Sequence, residues 1–147
     1  MGDRSGKNRS LAGGQSFRWI GTKFRCGGVA NVGACSTDSV EFDDIVTCLP
    51  VIQEVLQGFR EESAFRAARE AMLALPRVES PLSLAVFEQA LGLYRTSRRA
   101  GLTVRSGVDC VIAACAIRHD LEVLHVDRDY ALLASVSTLR TREIKMR

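Results

Sequence analysis

The sequence contains no apolar run approaching the roughly 20 residues that a membrane-spanning helix needs. Its first residues form no apolar block of the kind that signal peptides carry. We therefore expect a cytoplasmic protein that has no membrane partner. Histidine is also scarce, and the two present, His119 and His125, fall where core or capping roles are more usual than catalysis.

The cysteines show no sign of a metal or disulfide framework. They are odd in number, and no two of them form a C-x-x-C pair. Cys110 and Cys115 lie in an apolar segment, which is typical of free thiols buried in a core. We expect free cysteines throughout, at positions Cys26, Cys35, Cys48, Cys110 and Cys115.

What the sequence does contain is enough apolar material for one globular domain. Its 147 residues are 46% hydrophobic and 25% charged, with a net charge of +3. The first forty residues hold eight of the twelve glycines and six basic side chains against two acidic ones. We divide the chain into an atypical Gly-rich basic segment, residues 1–42, and a folded domain, residues 43–147. The basic segment predicts either a solvated tail or a nucleic-acid contact.

Hydrophobic periodicity after residue 43 alternates between strands and helices. The predicted strands are 45–49, 122–126 and 138–144, with a degenerate first strand near 15–20. The predicted helices are 50–60, 64–75 capped by Ser63, 81 or 83 to 99, one capped by Ser106, and 130–134. Leu84, Phe87, Leu91 and Tyr94 are predicted to form the inner face of the long third helix. This order predicts an α/β fold with a central parallel sheet flanked by helices.

Three acidic residues stand at junctions of these elements. Glu54 flanks the core face of the first helix, Asp109 opens an apolar helix, and Asp127 ends a strand. Because a parallel sheet gathers its strand ends at one edge, we expect the three carboxylates to lie within about 10 Å of one another and to bind a hard cation. Each acid alone has a simpler interpretation. Glu54 suits a solvated helix surface, Asp109 completes a capping box with Ser106, and Asp127 or Asp129 could cap the next helix.

Two stretches, IVTCLPVIQEVLQGFR and LYRTSRRAGLTVRSGVDCVIAACAIRHDLEVLHVDRDYALLA, resemble the PIN-domain ribonucleases, specifically the VapC toxins of type II toxin–antitoxin pairs. The resemblance implies a PIN-like α/β domain, RNA cleavage that depends on Mg²⁺ or Mn²⁺, a homodimer, and a cognate antitoxin. Glu54, Asp109 and Asp127 match the family's metal-binding acids, which also carry out catalysis. Asp129 matches a less constant acidic position nearby.

The chain departs from this family at its first strand, which usually ends in a further metal-binding Asp. The best match aligns Trp19 and Ile20 with the family's Trp-Ile pair and places Gln15 where the Asp should be. Since an amide brings no charge, the departure predicts weaker Mg²⁺ binding and impaired cleavage. One alternative is therefore a catalytically inactive PIN-like protein that dimerises and binds an antitoxin. A three-acid phosphatase or receiver-like module is another.

Overall fold

A computed structural model describes residues 45–144 with their side chains and residues 18–20 by their backbone. The described strands are β1 (Arg18–Ile20), β2 (Glu122–His125) and β3 (Arg140–Glu143). They form one parallel sheet in the order β1-β2-β3. The short β1 and the parallel sheet confirm the predicted fold class, although helices make up most of the described residues.

The structure describes five helices. Their bounds are α1 (Leu49–Leu56), α2 (Glu62–Ala74), α3 (Leu84–Arg99), α4 (Gly107–Arg118) and α5 (Arg128–Ser135). Of these helices, α4 and α5 contact the sheet. Helix α4 is central, because it packs against α1, α3, α5 and β2. Its run from Ile112 to Ala116 is completely buried, as a helix without a polar face requires.

The predicted strand at 45–49 is wrong. Ile45 and Thr47 form isolated bridges and not a regular strand. Thr47 pairs with Arg77 in parallel: its N–H donates to the Pro76 carbonyl at 2.8 Å, and its carbonyl accepts from the Val78 N–H at 3.0 Å. Helix α1 begins at Leu49 because Pro50, with its fixed φ, favours the first helical turn and stops the extended backbone there. The helix ends at Leu56, not at residue 60, two residues before the helix-disfavouring Gly58.

The predicted cap of α2 is also wrong, since Glu61 takes the place assigned to Ser63. The Glu61 carboxylate accepts hydrogen bonds from the backbone N–H groups of Ser63 and Ala64, at 3.0 and 2.8 Å. A carboxylate at a helix N-terminus satisfies unpaired N–H groups and complements the helix dipole. These contacts explain why the helix starts at Glu62.

The predicted inner face of α3 is wrong as well. Leu84, Phe87 and Leu91 are exposed, by 73%, 48% and 57%, and Tyr94 is half-buried. The buried face consists of residues that are smaller on average, Val86, Ala90, Leu93 and Ser97. Helix α3 packs on α4, where the core holds several alanines, and close approach of two helices favours small side chains. Large apolar residues at helical spacing therefore gave a misleading signal.

Three of the five cysteines lie in the described part of the chain. Cys48, Cys110 and Cys115 are free and buried, while Cys26 and Cys35 lie outside the described part of the chain. Among the helices described, none has the length and apolarity needed to cross a membrane.

Candidate functional site

Two aspartates occupy the turn from β2 into α5. Asp127 is the N-cap of α5, and its Oδ1 accepts the Asp129 backbone N–H at 3.1 Å. The capping role considered for Asp127 is therefore real. Capping does not explain Asp129, however, whose side chain is only 1% exposed. A buried carboxylate needs hydrogen-bonding or charged partners, so the β2–α5 turn must bring Asp129 partners other than those that cap α5.

Asp109 lies in the first turn of α4 and points toward α5. Its backbone N–H donates to Ser106 Oγ at 3.4 Å, which confirms Ser106 as the N-cap. Its carboxylate is 5% exposed and accepts a hydrogen bond from Tyr130 Oη at 3.1 Å. The backbone of Asp109 thus serves the cap while its side chain contacts α5.

The pKa of Asp109 shows which acids the fold brings together. Burial, as the largest cause, and then the negative charge of Glu54 raise this pKa from 3.8 to a net value of about 6. The hydrogen bond from Tyr130 acts in the opposite direction, and the charges of Asp127 and Asp129 add smaller increases. Glu54 on α1, Asp109 on α4 and the two aspartates of the β2–α5 turn therefore form one electrostatic cluster, which we call the acid cluster.

Arg105, just before α4, contacts the two aspartates of the turn. Its Nη2 lies 2.8 Å from Asp127 Oδ1, and its Nε lies 3.3 Å from Asp129 Oδ1. Its backbone N–H also donates to Asp129 Oδ2 at 2.9 Å. Asp129 and Asp127 raise the pKa of the guanidinium, which is thus firmly cationic. The sequence alone did not reveal Arg105 or Tyr130, although Arg105 directly precedes the N-cap residue Ser106 and Tyr130 directly follows Asp129.

The acid cluster has the donor chemistry of a hard-cation site. Its side chains offer carboxylate oxygens, which are the ligands that Mg²⁺ prefers, and the raised pKa of Asp109 shows that negative charge there is not fully compensated. Within residues 18–20 and 45–144, no three Asp, Glu, His or Cys side chains already surround a common point suitable for an ion. Cation binding would therefore require side chains of the cluster to turn, beginning with those paired with Arg105.

Neither histidine is placed as a nucleophile. His125 is buried in β2 with its ring centroid 5.3 Å from that of Tyr130, and burial lowers its pKa, which favours a neutral ring. His119 is the C-cap residue of α4 and contacts Glu79. Both positions confirm core and capping roles. The predicted substitution of the first acid by Gln15 lies outside the described residues.

The fold and the acid cluster define a PIN domain, and a PIN-domain family model matches residues 34–136. The chain belongs to this family. It is 32% identical, over 86% of its length and 94% of theirs, to a VapC ribonuclease of Mycobacterium bovis and to ribonuclease VapC11 of Mycobacterium tuberculosis. It is thus a member of the VapC group of PIN-domain proteins.

Solved structures share the fold at low sequence identity. VapBC2 from Rickettsia felis, bound to a promoter DNA fragment, has a TM-score of 0.56 at 15% identity, covering 69% of this chain and 75% of that one. VapBC-5 from Mycobacterium tuberculosis has a TM-score of 0.53 at 19% identity, covering 69% and 82% of the two chains. These likenesses support the PIN-like fold.

Proposed function

We propose that the chain is a divalent-metal-dependent endoribonuclease and the toxin of a type II toxin–antitoxin pair, acting in the cytoplasm. Its relatives are VapC ribonucleases that match nearly the whole chain. The observation that carries the metal-dependent part is the acid cluster, in which burial and three neighbouring carboxylates raise the pKa of Asp109 to about 6. An arrangement that destabilises its own charges costs folding free energy, and a bound cation would offset that cost.

In this proposal Glu54, Asp109 and Asp127 hold the ion, and Asp129 supports them from the first turn of α5. Mg²⁺ or Mn²⁺ in such a site lowers the pKa of a water molecule and stabilises charge on a phosphate. Tyr130 orients the Asp109 carboxylate through its hydroxyl group. This chemistry needs no histidine or cysteine nucleophile, in agreement with the structural positions of His119 and His125.

The direct test is cleavage of a fluorescent single-stranded RNA by the purified protein in Mg²⁺, in Mn²⁺ and in EDTA. We expect cleavage with either ion and none in EDTA. Glu54→Gln should abolish the activity, whereas Glu88→Gln, an exposed position on α3, should not. Mg²⁺ binding without cleavage would favour the catalytically inactive alternative, and absence of both would refute the metal site.

We further propose that the protein forms a homodimer and binds an antitoxin. The exposed apolar residues Leu84, Phe87 and Leu91 of α3 support a protein–protein contact, since three large apolar side chains on one helix surface are unusual without a partner. Light scattering should give the mass of a dimer, and Leu91→Lys should lower it if this surface mediates dimerisation. Thr96→Lys, at an exposed position of α3 outside the face that carries Leu84, Phe87 and Leu91, is the matched control.

A further inference from the structure

The Arg105 side chain could leave the acid cluster without depriving either aspartate of all its hydrogen-bond donors. If the guanidinium moved away, Asp129 would keep the Arg105 backbone N–H at 2.9 Å, and Asp127 would keep the Asp129 backbone N–H at 3.1 Å. Both carboxylates are therefore held in place by main-chain donors. The guanidinium therefore mainly compensates the negative charge of the two carboxylates and contributes less to holding them in place.

The Arg105 side chain is also the accessible part of this arrangement. Its side chain is 51% exposed, whereas Asp127 and Asp129 are 8% and 1% exposed. Its contact with Asp129 Oδ1 is long, at 3.3 Å. A long side chain at the surface can turn about its fixed backbone without disturbing the buried acids.

A divalent cation in the acid cluster would compete with Arg105 for the same carboxylate oxygens. The guanidinium sits on the Oδ1 atoms of both aspartates, and two positive groups cannot share these atoms without repulsion. A displaced guanidinium at the mouth of the cluster would still lie beside the bound ion. There it could pair with a phosphate group, which the planar guanidinium binds through two parallel hydrogen bonds.

We propose that Arg105 is an exchangeable counter-ion, which neutralises Asp127 and Asp129 until a divalent cation binds and then contacts a phosphate group of the RNA substrate. This inference rests on the proposed function for its substrate. The competing interpretation is that Arg105 is a permanent clamp that holds the two aspartates ready for the ion. The two interpretations predict opposite changes in ion affinity when the guanidinium is removed.

The first measurement is Mg²⁺ binding by calorimetry, with no RNA present. As an exchangeable counter-ion, Arg105 competes with the ion, so Arg105→Gln should tighten Mg²⁺ binding by roughly threefold to tenfold. The control Arg128→Gln removes an equal charge from an exposed position between the two aspartates in sequence. It should change the affinity less, because a screened surface charge affects the ion only through space.

The second measurement is binding of a labelled single-stranded RNA by fluorescence anisotropy in saturating Mg²⁺, with the RNA checked for integrity on a gel. Arg105→Gln should weaken RNA binding by about fivefold to tenfold, against less than about twofold for Arg128→Gln. Arg105→Lys keeps the positive charge but not the planar pair of N–H donors. Its Mg²⁺ and RNA affinities should therefore lie between those of wild type and Arg105→Gln. It also serves as the second variant if Arg105→Gln fails to fold.

The outcomes separate this inference from the proposed function. Tighter Mg²⁺ binding together with weaker RNA binding supports the exchangeable counter-ion. Weaker or unchanged Mg²⁺ binding by both Arg105 variants, while wild type binds the ion, would overturn it and leave the metal site intact. A wild-type protein that binds no Mg²⁺ would overturn both.

Discussion

The two ends of α4 each hold a largely buried carboxylate, and the surroundings shift their pKa values in opposite directions. At the N-terminal end, burial and neighbouring acids raise the pKa of Asp109 to about 6. At the C-terminal end, Glu79 accepts hydrogen bonds from His119 Nε2 at 3.0 Å and Arg118 Nε at 3.2 Å. The hydrogen bond with His119 makes the largest contribution to lowering the Glu79 pKa, and Arg118 and Ser83 lower it further.

This difference separates a carboxylate that stabilises the fold from one that the fold destabilises. Glu79 joins the loop before α3 to the end of α4, where Arg118 compensates its charge and the His119 ring forms a hydrogen bond with it. Asp109 instead has acidic neighbours, Glu54, Asp127 and Asp129, whose charges add to the effect of burial on its pKa. A buried carboxylate whose pKa is raised by neighbouring acids is a candidate functional residue, because selection for stability alone would remove it.

Activity should give the largest contrast between the two ends. Asp109→Asn should lower RNA cleavage by at least about a hundredfold, because it removes a charge from the proposed ion site. Glu79→Gln should leave the rate within about twofold of wild type, because its contacts lie outside the acid cluster. Initial rates in Mg²⁺ measure both. Equal losses in two folded variants would contradict the division of roles.

In the absence of divalent cations, Asp109→Asn should stabilise the fold, although it lowers the activity. Asp109→Asn removes the repulsion while the amide oxygen can still accept from Tyr130, so the free energy of unfolding at pH 7.5 should rise by about 1–2 kcal/mol. Urea denaturation in EDTA measures this change. A decrease of more than about 1 kcal/mol would mean that the Asp109 carboxylate is needed for the start of α4.

The same variant should also lose a pH dependence. A carboxyl group whose pKa is raised from 3.8 to about 6 favours the folded state at low pH, and this contribution is lost as the pH rises through that interval. The stability gain of Asp109→Asn should therefore shrink toward zero near pH 4. Denaturation curves at several pH values between 4 and 7.5 test this, and a gain independent of pH would exclude Asp109 ionisation as its cause.

Glu79→Gln should lower the stability by about 1 kcal/mol at pH 7.5. The Gln amide oxygen can still accept hydrogen bonds but no longer carries a charge. Because Arg118 and His119 are more than a third exposed, solvent screens part of the loss. Glu88→Gln on the exposed surface of α3 is the control and should change little. No change in Glu79→Gln would mean that this cluster is only a surface ion pair.

The sequence predicted the acid end of α4 better than the basic end. Asp109 and Asp127 could be found because each stands at a junction between apolar segments, where chain topology alone limits its position. Glu79 could not be found in this way, since its partners His119 and Arg118 lie about forty positions away in a different element. Arg105 could not be found for a related reason. Its partners lie in the β2–α5 turn, more than twenty positions away, and contact it only in the folded chain.

The sequence predicted those elements of the fold that apolar runs mark along the chain. The prediction failed where the packing of neighbouring elements decides which side chains are buried. Strand β2 and helix α4 follow from short apolar runs, and Ser106 marks where α4 begins. The inner face of α3 does not, because Leu84, Phe87 and Leu91 repeat at the right spacing but are exposed, while Val86 and Ala90 are buried. Which face a helix buries depends on the space that its neighbour leaves.

The smallest expected effect concerns His119, which makes the largest contribution to the lowered pKa of Glu79. His119→Ala should move that pKa upward toward the ordinary value of 4.5, while the pKa of Asp109 stays about 6. A carboxyl group with a lowered pKa adds stability above its unfolded pKa and loses it as the pH falls through its folded pKa. The variant should therefore lose less stability than wild type on acidification from pH 5 to pH 3, by about 0.5 kcal/mol. Carbon-detected NMR titration of both carboxyl groups measures the shifts, and a Glu79 titration unchanged by the substitution would show that Arg118 and Ser83 suffice to lower its pKa.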